Sequence, residues 1–437
     1  MLDIKKIQQS PDWYKQKLAT RNIDPKSIDE LLALDVNRRE YIKKIDELRS
    51  KRKMLEDKFV NSQNNSEILN VLKKVKAALE DLEANLAAVE ADLTLKMKIL
   101  PNVPLEDVPS GAQDKVIKEW GKKPKFNFVP KDYLEIAQNL DLIDVEAAAK
   151  VVGSRFGFLK NELVLLQFAL INYVFNTFGN KYNFVPVLPP FFIKPKYFEA
   201  LGYIDTKEGK EETYYLPQDD LYLIGTAEHI IAAMNGDQTF DEKELPKRFL
   251  AFSSCFRREA GSYGKDTKGI LRVHQFDKIE MFSICTPEQS QKEQELITSI
   301  EEEIMQNLMI PYRIVQTSTL NLSRPSARSF DLESWLPGQN NGLGEYRETH
   351  SNSNCTDFQA RRLNIKYKKI SDGKQLNLNQ FCYTLNGTAL ALGRAIIAII
   401  ENYQQKDGSI KIPKILVPYM KHIKVIPNRR LILNKSK

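Results

Sequence analysis

The segment from Phe252 to Phe282 concentrates the residues best suited to chemistry. It holds FRREAGSYGKDTKG followed by ILRVHQFDKIEMF. Two apolar-alternating runs flank a Gly-rich, basic loop, a pattern that predicts a long antiparallel hairpin. Strand alternation puts Arg257 and Glu259 on one face, and Phe276 and Glu280 together on one face of the return strand. An arginine, carboxylates and an aromatic ring that converge suit a nucleotide, with guanidinium to phosphate, ring to base and carboxylate to an amine. The same cluster also describes a surface ion-pair ladder, and the residues alone leave both readings open.

A second segment, Asn377 to Gln405, reads NLNQFCYTLNGTALALGRAIIAIIENYQQ. It predicts a strand that turns through Asn386 and Gly387 into a helix. Arg394 falls in the first turns of that helix, on an otherwise apolar stretch, where it could reach a phosphate group or pair with a buried carboxylate.

The elements that must carry these residues divide the chain. Leu31, Leu34, Tyr41, Ile45, Leu48, Leu55 and Phe59 follow three- and four-residue steps, interrupted where Arg38 and Arg52 take seam positions. Leu72, Val75, Leu79, Leu82, Leu86, Val89 and Leu93 do the same without interruption. Seams of this period bury themselves by supercoiling. Asp57 to Glu67, DKFVNSQNNSE, is a polar turn-forming stretch that lets the chain reverse. The prediction is an antiparallel helical hairpin over about residues 27–100 whose limbs, at about thirty residues each, reach roughly 45 Å. Lysines and arginines off the seam, such as Arg39, Lys43, Lys44, Arg49, Lys51, Lys53, Lys73, Lys74 and Lys76, offer either a basic binding surface or a merely solvated face.

Pro101, Pro104 and Pro109 punctuate a stretch no helix runs through. The expected division is therefore 1–110 for an N-terminal domain with the hairpin arm and 111–437 for a mixed domain. In the latter, strands alternate with helices such as Asn161 to Phe178 and Pro287 to Leu308. At 437 residues, 42% hydrophobic and 28% charged, the chain has the balance of a folded soluble protein rather than a disordered one. No run is read as approaching the ~18 apolar residues of a membrane helix. Met1 to Arg21 has neither the apolar core of a signal peptide nor the acid-free character of a transit peptide, which predicts a cytoplasmic chain. Cys255, Cys285, Cys355 and Cys382 lack the paired spacing of a zinc site. A net charge of +7 suits a polyanionic partner only weakly.

The motifs carry a resemblance. Arg257-x-Glu259 followed by Arg272-x-x-x-Phe276 looks like motif 2 of class II aminoacyl-tRNA synthetases, and GTALALGR, ending at Arg394, looks like their motif 3. VPVLPPFF, with Pro189 and Pro190, resembles motif 1, which in that class builds the dimer interface. Within the class, DLIDVEAAAKVVGSRF, GTAE at Gly225 to Glu228, EAGSYGKDTKG, HQFDKIE and SNCTDFQARR are similar to the seryl-tRNA synthetase family. With the arm, the resemblance covers nearly the whole chain. It implies an α+β fold: a coiled-coil arm in front of a catalytic domain built on an antiparallel sheet flanked by helices.

The resemblance also implies a function. Serine's carboxylate attacks the α-phosphate of ATP, and the adenylate then passes to tRNA(Ser), with tRNA(Sec) an open second acceptor. No enzyme nucleophile is needed, so catalysis rests on positioning and charge neutralisation. By resemblance Arg257 clamps the α-phosphate, Arg394 the γ-phosphate end, and Phe276 stacks on adenine, with Glu259 and Arg272 near the nucleotide. Glu348 and Ser351 match positions that hold Mg2+, an ion that takes oxygen ligands. Thr226, Glu228, Arg257, Glu280, Asn386 and Thr388 match positions around serine. The arm would grip the long variable arm of the tRNA, a homodimer is expected from motif 1, and no membrane partner is.

Departures are visible too. The family's Ser-Ser-Cys-Ser-Asn run appears as His350, Ser351, Asn352, Ser353 and Asn354, two substitutions expected close to the metal and serine sites. Leu320 and Asn321 replace a Gly-Asp pair, and Arg328 replaces a lysine. Rival readings are an enzyme of this fold that charges another amino acid or a carrier protein, and a non-catalytic nucleic-acid binder. The intact arm disfavours the carrier version, and retention of Arg257, Glu280, Glu348 and Arg394 together disfavours an idle site.

Overall fold

A computed structural model describes residues 1–60, 66–261, 268–371 and 374–428. The chain divides into two compact units, Met1–Val103 and Pro104–Lys437.

The first unit is helical. Helices α1 (Ile4–Gln9) and α2 (Pro11–Ala19) precede α3 (Lys26–Val60) and α4 (Ser66–Ile99). The long pair is 35 and 34 residues, about 50 Å at 1.5 Å per residue. Ile45, Val75 and Leu79 form the buried seam, with Leu48, Leu55, Leu82 and Leu86 packed against it. Cross-pairs fix the antiparallel register: Lys96–Glu30 at 2.9 Å, Arg38–Glu90 at 3.6 Å and Arg49–Glu83 at 2.8 Å. Arg38 thus holds its seam position through charge, since it also lies 3.2 Å from the buried Asp35. Of the expected turn, residues 61–65 lie outside the described residues.

The second unit is organised by an eight-stranded sheet: β1 (Lys115–Trp120), β2 (Phe184–Val187), β3 (Lys247–Phe256), β4 (Gln275–Cys285), β5 (Tyr312–Gln316), β6 (Arg328–Leu336), β7 (Glu345–Asn354) and β8 (Tyr383–Ala391). Their order is β1-β5-β6-β7-β8-β4-β3-β2. Every pair is antiparallel except β2 with β3 at the edge. Helices α5 (Glu162–Lys181), α6 (Ala227–Met234), α7 (Ser290–Asn307) and α8 (Leu392–Asn402) flank it.

Period-two alternation decides what each face does. On β4, Ile279 and Met281 enter the main core with α5, α7 and α8, while Phe282 and Ile284, on the other face, join a second cluster with Phe198, Ile224 and Ile231. The residues preceding them on that second face are Glu280, Lys278 and Phe276, so one strand face changes from apolar to charged. That change marks the mouth of a cleft.

By length and composition alone, α5 is long and apolar enough to cross a membrane. This corrects the expectation that no run comes near that length. Leu163, Leu166, Leu170, Tyr173, Val174 and Phe178 of the helix are buried in the main core, and that packing accounts for its apolar character.

Candidate active site

The hairpin read in the sequence is β3 paired with β4, from Phe256 opposite Gln275 to Lys247 opposite Ile284. Of its Gly-rich loop, residues 262–267 lie outside the described residues. Strand β3 stops at Phe256, so alternation is not what aims Arg257 and Glu259. Arg257 is fixed by its own contacts: its amide donates to the His274 carbonyl at 2.9 Å and its Nε to the Gly225 carbonyl at 3.2 Å. Its guanidinium lies 5.4 Å from the Phe276 ring centre, within cation–π range. Glu259 adopts a left-handed backbone with φ of 53°, uncommon without glycine. Its carboxylate accepts from Arg272 at 2.7 Å and its carbonyl from Arg155 at 3.3 Å.

Lys278 follows Phe276 on the same face of β4 and ion-pairs with Glu280 at 2.5 Å. Opposite Glu280 stands Thr388, because the β4–β8 ladder shifts register between Ile279 and Glu280. Asn386, also on β8, donates to the Cys355 sulfur at 3.7 Å.

The GTAE segment opens α6. Thr226 caps that helix through its hydroxyl, which accepts from the Glu228 amide at 3.3 Å. The buried Glu228 carboxylate accepts from Tyr203 Oη at 3.0 Å and Gln359 Nε2 at 2.7 Å. Burial nonetheless pushes it up to about 7, with Glu280 adding to the rise while Gln359 and Lys278 oppose it. Burial and the Arg257 charge hold the adjacent His229 well below its ordinary value, so it is neutral. Its Nδ1 accepts from the Gly225 amide at 3.3 Å.

Glu348 and Ser351 are three residues apart on β7, a spacing that simple alternation would put on opposite faces. Asp331 pairs with Ser351, Leu332 with His350 and Glu333 with Glu348, leaving Thr349 as an extra residue. This bulge returns Glu348 to the face of Ser351 and Asp331. Burial, the Glu348 charge next, lifts the Asp331 carboxyl to about 7 against a lowering hydrogen bond from Ser351. Arg394, in the first turn of α8, lies 3.1 Å from Glu348 Oε1 and donates to the Glu348 carbonyl at 2.9 Å.

All twelve residues singled out in the sequence, Thr226, Glu228, Arg257, Glu259, Arg272, Phe276, Glu280, Glu348, Ser351, Asn386, Thr388 and Arg394, line one cleft of about 530 Å³. Lys278 and Asp331 line it too and were missed. Lys278 was legible, since it lies between Phe276 and Glu280 in the same alternation. Asp331 was not, because its place depends on strand pairing.

The substitutions expected close to the metal and serine sites point elsewhere. His350 and Asn352 are buried on the reverse face. The His350 ring is held down to about 3 by burial and its Nδ1 lies 2.9 Å from Thr349 Oγ1. Asn321 lines the cleft and donates to Asp114 Oδ1 at 3.0 Å.

A cleft on the face of an antiparallel sheet, with an arginine and aromatic on one hairpin and a second arginine opening the helix after β8, defines a class II aminoacyl-tRNA synthetase core. Residues 214–403 match the tRNA synthetase class II core domain (G, H, P, S and T), and residues 1–104 the seryl-tRNA synthetase N-terminal domain. The chain is 40% identical to a serine–tRNA ligase of Dictyoglomus turgidum, across 98% of this chain and 100% of that one. The seryl-tRNA synthetase of Pyrococcus horikoshii, solved with ATP, is 36% identical with a TM-score of 0.90, covering 98% of this chain and 99% of that one. The cytoplasmic serine–tRNA ligase of Naegleria fowleri, solved with AMP, is 31% identical with a TM-score of 0.86, covering 98% of each.

The chain belongs to the seryl-tRNA synthetase family. Its activity is the ATP-dependent activation of serine and the charging of tRNA with it.

Proposed function

We propose that the cleft divides its work as follows. Serine's ammonium lies against Glu280 and Glu228, and its hydroxyl against Thr388, Asn386 and Thr226. A pocket built to hydrogen-bond a hydroxyl strongly rejects analogues that lack it. ATP places adenine on Phe276, its α-phosphate on Arg257 and its γ-phosphate on Arg394, while the Arg272–Glu259 pair steadies the nucleotide from β4's entry. The serine carboxylate attacks the α-phosphorus, the bond to the β-phosphate oxygen breaks, and pyrophosphate leaves. Arg257, which also reaches the serine carboxylate, neutralises the charge that gathers on the transferring group. The observation that carries this assignment is that all these side chains line one cleft.

Glu348 and Ser351 would hold Mg2+. The donor set fits: a carboxylate and a hydroxyl share a face with the Asp331 carboxyl, which burial and then the Glu348 charge raise, a crowding of oxygens that a hard cation relieves. When bound, the ion would offset the negative charge of the ATP phosphates.

The N-terminal unit is the tRNA-binding domain, and the exposed Lys43, Lys44, Lys51, Lys53, Lys73 and Lys74 of α3 and α4 contact phosphates of the variable arm of tRNA(Ser). Such contacts position rather than read sequence. tRNA(Sec) is a second acceptor to be offered in the same charging assay. A second copy covers the motif 1 region, a homodimer supported by the exposure of Phe168, Val185, Leu188 and Phe192. The chain works in the cytoplasm and not on a membrane, a reading supported by the core packing of α5.

The test is exchange of pyrophosphate into ATP with serine, threonine, alanine or no amino acid. Serine alone should support exchange, and Arg257→Ala should lose it. Undiminished exchange in that variant would overturn the assignment.

A further inference from the structure

The reverse face of the sheet holds a buried carboxyl that has no part in the chemistry above. Glu301, on α7, is 1% exposed. Its Oε2 accepts from Asn352 Nδ2 at 2.8 Å, and its Oε1 has no hydrogen-bond partner among the described residues. Asn352 is fully buried, donates also to Thr298 Oγ1 at 3.1 Å and accepts from Gln294 Nε2 at 3.2 Å. Gln294 in turn accepts from Arg328 Nε at 2.9 Å, and Arg328 pairs with Asp107 at 2.8 Å. Two of the departures noted in the sequence, Asn352 and Arg328, are thus members of one network. Burial lifts the Glu301 carboxyl well above the usual range.

The location gives this pair leverage. Strands β7 and β8 pair only from Asn352 opposite Gly387 to Asn354 opposite Leu385. Past the Asn352–Gly387 pair the two strands part, and Ser351 and Thr388, the next residues on each, line the cleft. Helix α7 lies hard against this branch point. A Cβ on Gly387 would stand 2.3 Å from Ile297 Cγ2, 3.0 Å from Asn352 Cβ and 3.1 Å from Glu301 Oε1.

We propose that Glu301 and Asn352 form a positioning pair behind the serine pocket, which sets where β7 and β8 part and so how far Ser351 and Ser353 stand from Asn386 and Thr388. The proposal rests on the assignment of that pocket to serine. A cysteine at 352, the residue the family's run carries there, cannot donate to Glu301 as the amide does and leaves a buried acid without its partner. The two residues therefore belong together.

The test is steady-state pyrophosphate exchange on the full chain carrying Asn352→Cys, Glu301→Ala, both changes, or Glu301→Gln, with thermal unfolding alongside. Each of the first two should raise the KM for serine about tenfold and leave the KM for ATP unchanged, the scale of lost support behind a ligand group. The double variant should be no worse than the worse single one, since coupled residues are not additive. Glu301→Gln keeps an acceptor for Asn352 and should behave as the unaltered protein. Variants that only lower the melting temperature, or effects on KM that multiply, would overturn the pair. Thr388→Ala separates the layers: if it leaves the KM for serine unmoved, the pocket assignment fails; if it raises that KM while Asn352→Cys does not, the pair alone fails.

Discussion

The Lys278 ammonium lies 2.5 Å from the Glu280 carboxylate, with side chains only 8% and 2% exposed. Both face the cleft from one strand, so each is the other's partner where little water can reach. Lys278→Met should cost about 3–5 kcal/mol, the scale for a buried charge that loses its partner. Lys278→Met with Glu280→Gln should recover most of it. Urea unfolding of the single and double variants measures both.

Serine binding should depend on pH through Glu228, whose carboxyl burial raises to about 7. Below that value the group is protonated and must release its proton before it can face an ammonium. The KM for serine should rise about tenfold per unit as pH falls below 7 and level off above it. Glu228→Gln should give a high, flat profile, and the KM for ATP should show neither trend. An unaltered slope in the variant would place the titration elsewhere.

Glu401 on α8 bears on stability. It accepts from the Gly338 amide at 2.7 Å, Gln339 Nε2 at 2.6 Å and the Tyr133 amide at 3.2 Å, yet burial outweighs these donors and lifts it to about 7. A carboxyl raised in the folded state contributes stability that is full below its unfolded value and lost as pH rises through the folded one. The loss is about 1.4 kcal/mol per pH unit between about 4.5 and 7. Glu228 and Asp331 act with the same sign, so the contrast with Glu401→Gln isolates this contribution. That variant should be less stable by about 1 kcal/mol at low pH, for one lost hydrogen bond, and should have a shallower slope.

Replacing Lys43, Lys44, Lys73 and Lys74 together with Ala should leave serine-dependent pyrophosphate exchange intact and weaken tRNA charging. The effect should appear in the KM for tRNA, and the salt dependence of tRNA binding should flatten by about one unit of logarithmic slope for each phosphate that is no longer neutralised. An unchanged salt slope would leave these lysines as solvated face.

The strand reading of β4 shows how far local pattern reaches. Phe276 and Glu280 share a face because side chains alternate with a period of two, a property of the backbone that residue types report directly. The arm was legible for a similar reason, since its seam repeats over many turns and each repeat adds to the signal. Arg257 and Glu259 were placed in the right cleft for the wrong cause: they lie past the end of β3, held by the Gly225 carbonyl and by Arg272.

By itself, then, the sequence determined the helical arm, the hairpin that carries Phe276 and Glu280, and the set of side chains fit for a nucleotide and an amino acid. These follow from periodicity and residue chemistry, which act over a few neighbouring positions. Only the tertiary structure decided that Thr349 bulges to bring Glu348 beside Ser351, that Asp331 faces them, and that Asn352 turns from the cleft to meet Glu301. Each depends on which residue of one strand stands opposite which residue of another, and that register is set by packing between segments far apart in the chain.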